Sequence, residues 1–137
     1  MRRLALPSLV LVLATLSGCA TDIRNQALNS TLMNYAGSIR WGDFTGAQIY
    51  IDPDYAEEHP VSQVEMSRLA QLRVTGYDEG GGPRPDGPDD VVQLVQISVV
   101  NINTQAERTV LDRQRWHYDR EKKKWRLMTG LPNFTPQ

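Results

Sequence analysis

One thiol, two histidines and a few carboxylates are the groups in this sequence that could do chemistry. Cys19 is the only cysteine and closes the stretch LATLSGC (13–19), so it has no disulfide partner within the chain. His59 and His117 are the only histidines, and they fall in no HxH or HExxH spacing. A metal centre needs several converging His, Cys or carboxylate ligands. Both histidines are therefore expected to be solvated or packed, and no metal or cofactor is implied. The segment RTVLDRQRWHYD (108–119) alternates as a strand does, which puts Asp112, Gln114, Trp116 and Tyr118 on one face. Arg113, Arg115, His117 and Asp119 share the other. The first face could line a cavity, with Asp112 as a general acid or base if a substrate came within hydrogen-bond reach. The commoner arrangement has Trp116 and Tyr118 in the core and Asp112 paired with an arginine of a neighbouring strand. No Ser/His/Asp or Cys/His constellation is visible. The glycine run EGGGP (79–83) precedes no helix, so it lacks the donor array of a phosphate loop. No catalytic residue is assigned.

Two charged runs complete the inventory. Arg120, Lys122, Lys123 and Lys124 could touch anionic headgroups, at about 1 kcal/mol per basic residue near a charged surface. The commoner role of such a run is a solvated hairpin tip that keeps a sheet end soluble. Asp52, Asp54, Glu57 and Glu58 form an acidic stretch without the ordered spacing of a calcium loop.

The surroundings of Cys19 say more than the thiol alone. Arg2 and Arg3 precede an uncharged apolar run, Leu4 to Leu16, and small residues Ser17 and Gly18 follow. That is the layout of a secretory signal peptide, and the run is too short to span a bilayer. Leu16-Ser17-Gly18-Cys19 resembles the lipobox of bacterial lipoproteins. The resemblance implies cleavage before Cys19, lipid on its sulfur and a membrane as the first partner. One acyl chain holds a protein only marginally, whereas two or more hold it stably. Ala20, rather than Asp, follows the cysteine, which by the same resemblance implies the periplasmic face of an outer membrane. Loss of Arg2 and Arg3 leaves 13 basic against 16 acidic residues, a net charge near −3. That balance argues against nucleic acid as a partner.

The elements that would position these residues follow in order. Residues 1–18 are the expected leader, 19–25 a lipidated polar tether, 26–134 one domain and 135–137 a tail. Leu28, Leu32, Tyr35 and Ile39 make one stripe of an amphipathic helix stopped by Gly42. Asp43 offers an N-cap to a shorter helix carrying Phe44, Ala47, Tyr50 and Ile51. DPDYAEEHP (52–60) is expected to break the helical pattern, with a further helical piece over 61–68. LAQLRVTGYDEG (69–80) reads as a strand with Leu72 and Val74 on one face and Arg73, Thr75 and Tyr77 on the other. Residues 79–90 hold four glycines and three prolines and predict an exposed, mobile connection. VVQLVQISVVNI (91–102) predicts a central strand. Residues 108–119 and 124–132 then predict a hairpin reversed at DREKKK. The expected class is α+β: N-terminal helices packed on a curved antiparallel sheet of about four strands.

This order resembles the nuclear transport factor 2-like (SnoaL-like) superfamily over most of 26–134. The likeness lies in GDFTGAQIYIDPD (42–54) and in the closing hairpin Trp116-His117-Tyr118 to Trp125-Arg126-Leu127. It implies a cone-shaped sheet around the first helix, and it leaves function open, because that fold hosts enzymes and binding modules alike. The leading expectation is a non-catalytic binding domain on a membrane-anchored envelope lipoprotein. Its partner would be an envelope protein, a lipid or cell-wall material. Homodimerisation through the open sheet face is a further implication. The alternative is an envelope enzyme using the cone with Asp112 or His117 as acid/base. An interior plugged by Trp116 and Tyr118 would count against it.

Overall fold

A computed structural model describes residues 7–135, with side chains from residue 18 onward. The Arg2–Arg3 end of the expected leader and the last two residues of the tail lie outside the described residues. Helix α1 runs Pro7–Arg40. Its stripe Leu28, Leu32, Tyr35 and Ile39 is buried, the last two completely. Residues 19–25 depart from the expected tether, since they continue the same helix without a break. No Gly or Pro interrupts ATDIRN (20–25), so nothing local stops the helix there. At the other end Gly42 adopts φ +72°, and the N–H groups of Gly42 and Asp43 close on the carbonyls of Ile39 and Ser38 at 3.0 and 2.9 Å.

Three short helices follow. Helix α2 (Phe44–Ala47) is capped by Asp43, whose carboxylate accepts the Gly46 N–H at 2.8 Å. It runs into a 3₁₀ turn over Gln48–Tyr50. Phe44, Ala47 and Ile51 are buried, and Tyr50 packs against them. The expected break at 52–60 is instead helix α3 (Pro53–Glu58). Asp52 caps it by accepting from the N–H groups of Asp54 and Tyr55 at 3.0 and 3.1 Å. Pro53 sits in the first turn, where a missing N–H costs nothing. Helix α4 (Gln63–Leu69) is capped by Ser62, which accepts from Glu65 N–H at 3.1 Å.

The second half is an antiparallel sheet. Its strands are β1 (Leu72–Asp78), β2 (Arg84–Pro85), β3 (Asp90–Asn101), β4 (Glu107–Asp119) and β5 (Lys124–Leu127). The order is β1-β3-β4-β5, and β2 continues the β1 edge along β3. The sheet is strongly curled, a half-barrel closing on α1, so the class is α+β as expected. Val91, Val95, Ile97 and Val99 of β3 line its concave face together with Trp116 of β4. A bulge between Val74 and Gly76 shifts the β1 register by one residue. Tyr77 thereby pairs with Ile97 and joins Leu72 and Val74 against the core, whereas strict alternation had placed it opposite them. A parallel bridge from Ile51 to Leu127, with Asp52 N–H on the Leu127 carbonyl at 2.9 Å, sews the short helices to the β5 edge.

The Asp43 cap fixes where α1 hands over to α2. A Cβ on Gly46 would collide with the Asp43 carboxylate. Asp43→Ala is expected to lower stability by about 1 kcal/mol, the usual worth of a cap. Gly46→Ala should cost a similar amount, and the double variant little more than either single one, because both act through the same hydrogen bond. Denaturant unfolding of the three variants checks this.

Candidate functional site

The concave face holds a polar cluster built around Gln114. Register aligns Asp112 with Val95, Gln114 with Gln93 and Trp116 with Val91, so one face of β4 delivers an acid, an amide and an indole in sequence. The Gln114 side chain is completely buried and uses every donor and acceptor it has. Its Nε2 donates to Asp112 Oδ2 at 2.9 Å and to Tyr77 Oη at 3.0 Å. Its Oε1 accepts from Gln93 Nε2 at 3.0 Å and from Trp116 Nε1 at 3.3 Å. Tyr35 comes down from α1, its ring edge-on to Trp116 at 5.2 Å and to Tyr50 at 5.8 Å. Tyr35 Oη and Gln93 Oε1 are buried and make no hydrogen bond to the described residues.

Electrostatics follow from that burial. Burial raises the Asp112 carboxyl above its ordinary range, against the opposing pull of the Gln114 hydrogen bond. Burial likewise holds the Tyr35 hydroxyl well above its usual value, with Asp112 and Tyr77 adding to it. Tyr77 is pushed up to about 12, again mainly by burial. The cluster is thus two hydroxyls that stay protonated beside a carboxyl whose charge is disfavoured. Such a set can donate hydrogen bonds to a polar or anionic group. Asp112 pairs with an amide rather than with the expected arginine.

The four residues singled out by alternation share a face. Trp116 is fully buried and fills the interior, and Tyr118 packs against the core. Sequence reasoning missed Tyr35, Tyr77 and Gln93 as members of the cluster. Tyr35 was legible only as a core position. Gly76 inside a strand was the one hint of the bulge that turns Tyr77 inward. Gln93 was marked only by being the polar residue among inward-facing valines.

His117 lies on the opposite face of β4 from Asp112, so the two acid/base candidates cannot act on one substrate. His117 Nδ1 meets Asp90 Oδ1 at 2.6 Å, and Arg115 bridges Asp86 and Asp90 at 2.8 Å each. Burial pushes the Asp90 carboxyl up, but His117 and Arg115 outweigh it and hold it below the ordinary range. These contacts, with Asp89 held by Arg24 and Arg120, tie the 86–90 end of the connection to the body, while most of 79–88 is exposed as expected. His59 stacks on Tyr55 at 4.3 Å. Among the described residues no three His, Cys, Asp or Glu side chains gather as metal ligands.

Cys19 is exposed on α1, and residues 18–23 are exposed around it. Arg24 is in contact with the body. Its guanidinium reaches Asp89 Oδ1 at 3.1 Å and the Pro88 carbonyl at 2.7 Å. It also lies over the rings of Tyr118 and Trp125, 4.5 and 5.1 Å from their centroids. Trp125 Nε1 returns a hydrogen bond to the Arg24 carbonyl at 3.2 Å. No helix among the described residues is long and apolar enough to cross a membrane. Comparison with known protein families finds none that matches this chain, and a search of curated proteins finds no match either.

The cluster makes its own pH prediction. A carboxyl whose native pKa is raised binds more protons folded than unfolded, so it lowers stability as pH rises through and above the ordinary carboxylate range. Asp89, Asp90 and Asp119, whose carboxyls are held low, contribute in the opposite sense. The difference between wild type and Asp112→Asn therefore isolates Asp112. The variant is expected to match wild type in acid and to gain on it towards neutral pH, in thermal melts across that range. Tyr35→Phe removes a buried hydroxyl without a partner and should leave stability unchanged or raised. Tyr77→Phe removes an acceptor from Gln114 and should cost about 1 kcal/mol.

Proposed function

We propose that this chain is a membrane-anchored lipoprotein of the cell envelope whose domain acts by binding rather than catalysis. The observation that carries the proposal is the placement of Cys19. It follows Leu16-Ser17-Gly18 and stands exposed on α1, with residues 18–23 exposed around it. A sulfur there can take acyl chains without disturbing the fold. Each buried CH₂ is worth about 0.8 kcal/mol, so a diacyl or triacyl group would hold the domain on a bilayer. The non-catalytic half of the proposal is supported by Trp116, which occupies the interior that a substrate would need. By this reading the domain sits on the periplasmic face of the outer membrane and binds an envelope protein, a lipid or cell-wall material. Self-association through the convex sheet face, where Leu94 and Leu111 are exposed, belongs to the same proposal.

One observation favours the enzyme alternative. Asp112, Tyr35 and Tyr77 form a proton-holding cluster of the kind used to stabilise developing negative charge. If it serves catalysis, Asp112→Asn would be more stable yet functionally impaired, the usual trade at active sites.

The anchor is tested by metabolic labelling with radioactive palmitate in a bacterial host. Wild type is expected to take up label and to fractionate with membranes. Cys19→Ser should do neither. Normal labelling of the serine variant would overturn the proposal.

A further inference from the structure

Arg24 fixes how α1 leaves the domain, and it does so beside the β4–β5 hairpin. Tyr35 of α1 packs on Trp116, and Arg24, three turns towards the helix N-terminus, packs on Tyr118 and Trp125. The hairpin therefore runs in the same sense as α1 traced back to Cys19. Cys19 lies five residues beyond Arg24, about 7.5 Å along the axis at 1.5 Å per residue. The hairpin tip also lies just beyond that point, because Tyr118 pairs with Trp125 and Asp119 with Lys124. Lys122, Lys123 and Lys124 occupy the tip and its edge, and all three are exposed. The neighbouring charges are already engaged. Arg120 is held by both oxygens of Asp89, and Asp119 accepts the N–H groups of Glu121 and Lys122. The three lysine ammonium groups enter no salt bridge with the described residues, and Glu121 and Asp119 are the acidic groups beside them.

We infer that the β4–β5 hairpin is a second membrane contact, with Lys122, Lys123 and Lys124 resting on anionic phospholipid headgroups of the bilayer that holds Cys19. The inference rests on the anchoring proposed above. An extended lysine reaches far enough to cover the difference in level between the tip and Cys19. The surface potential falls off within a Debye length of about 8 Å at physiological salt, so only groups at this end of the domain feel it. The hairpin would convert a point attachment into a two-point one and fix the tilt of the domain.

The test separates the hairpin from the lipid. Full-length chain carrying Cys19→Ser is mixed with vesicles of phosphatidylglycerol and phosphatidylcholine, or of phosphatidylcholine alone, and co-sedimentation is measured at low and high salt. Against the mixed vesicles, Lys122→Gln/Lys123→Gln/Lys124→Gln in the same background should bind at least tenfold more weakly, each lysine being worth about a factor of five. The lysine-dependent part of binding should vanish in high salt and on pure phosphatidylcholine. The corresponding triple arginine variant should bind as the parent does, which guards against a folding defect. Equal binding by the glutamine variant and the parent overturns the inference, as does a lysine effect of the same size on uncharged vesicles. Palmitate labelling of wild type reports the anchor independently. Label without lysine-dependent binding removes the hairpin contact alone, and lysine-dependent binding without label removes the anchor alone.

Discussion

One arginine side chain holds three parts of this molecule in register. Arg24 ties α1 to the 79–90 connection through Asp89 and Pro88. It joins the β4–β5 hairpin through the faces of Tyr118 and Trp125. A guanidinium suits this position because its plane stacks on aromatic rings while its edge donates to a carboxylate and a carbonyl at once. Lysine would supply the charge and lose the geometry. A cation over an aromatic ring is worth about 0.5–2 kcal/mol depending on desolvation. The return hydrogen bond from Trp125 to the Arg24 carbonyl makes the contact reciprocal. The direction in which α1 departs is therefore set by packing and is not left to a flexible linker.

Deeper inside, Gln114 does for the core what Arg24 does for the rim. A buried amide is costly unless all its groups are paired, and here all are. In return it fixes which strand positions face each other, since only one register puts Gln93, Tyr77, Asp112 and Trp116 within its reach. The unpaired Tyr35 hydroxyl, the unpaired Gln93 Oε1 and the raised Asp112 carboxyl are the exceptions to this economy. Buried polar groups that cost stability are where function is often found. The polar cluster and the exposed cysteine are thus two separate claims on this molecule. One concerns what the domain holds, the other where it is held.

The parts of the fold set by periodicity were legible in the sequence. The stripe Leu28, Leu32, Tyr35 and Ile39 repeats at helical spacing, and 91–102 carries too many β-branched residues to be anything but a central strand. Features set by a single local event were not. One extra residue near Thr75 reverses the face of Tyr77, and alternation cannot show where a bulge falls. Asp52 and Pro53 looked like punctuation between helices and are instead the start of one, because cap and breaker use the same residue types. The 79–90 connection has the composition of a free loop. The ion pairs at its 86–90 end join aspartates to cations more than twenty residues away, which local composition cannot report. Asp112, Gln114, Trp116 and Tyr118 were legible as a shared face because the period of two holds along β4. Their partners from α1 and β1 arrive through tertiary packing.

The continuous helix changes what an anchor at Cys19 would do. A flexible tether lets a domain turn any face towards its membrane, and the attachment then sets only a distance. A helix fixed by Arg24 sets an orientation as well. From Cys19 to Trp41 it spans 22 residues, about 33 Å along the axis. The β4–β5 hairpin and the 86–90 segment lie at the Cys19 end of the fold. Trp41, the most exposed large apolar side chain among the described residues, lies at the other. Three exposed lysines near the cysteine and an exposed indole far from it divide this axis, with Ile23 also exposed at the cysteine end. An attachment that fixes orientation gives that division a direction. With an anchor at Cys19, the lysine end would meet what lies at the membrane surface, and the Trp41 end what approaches from the aqueous side.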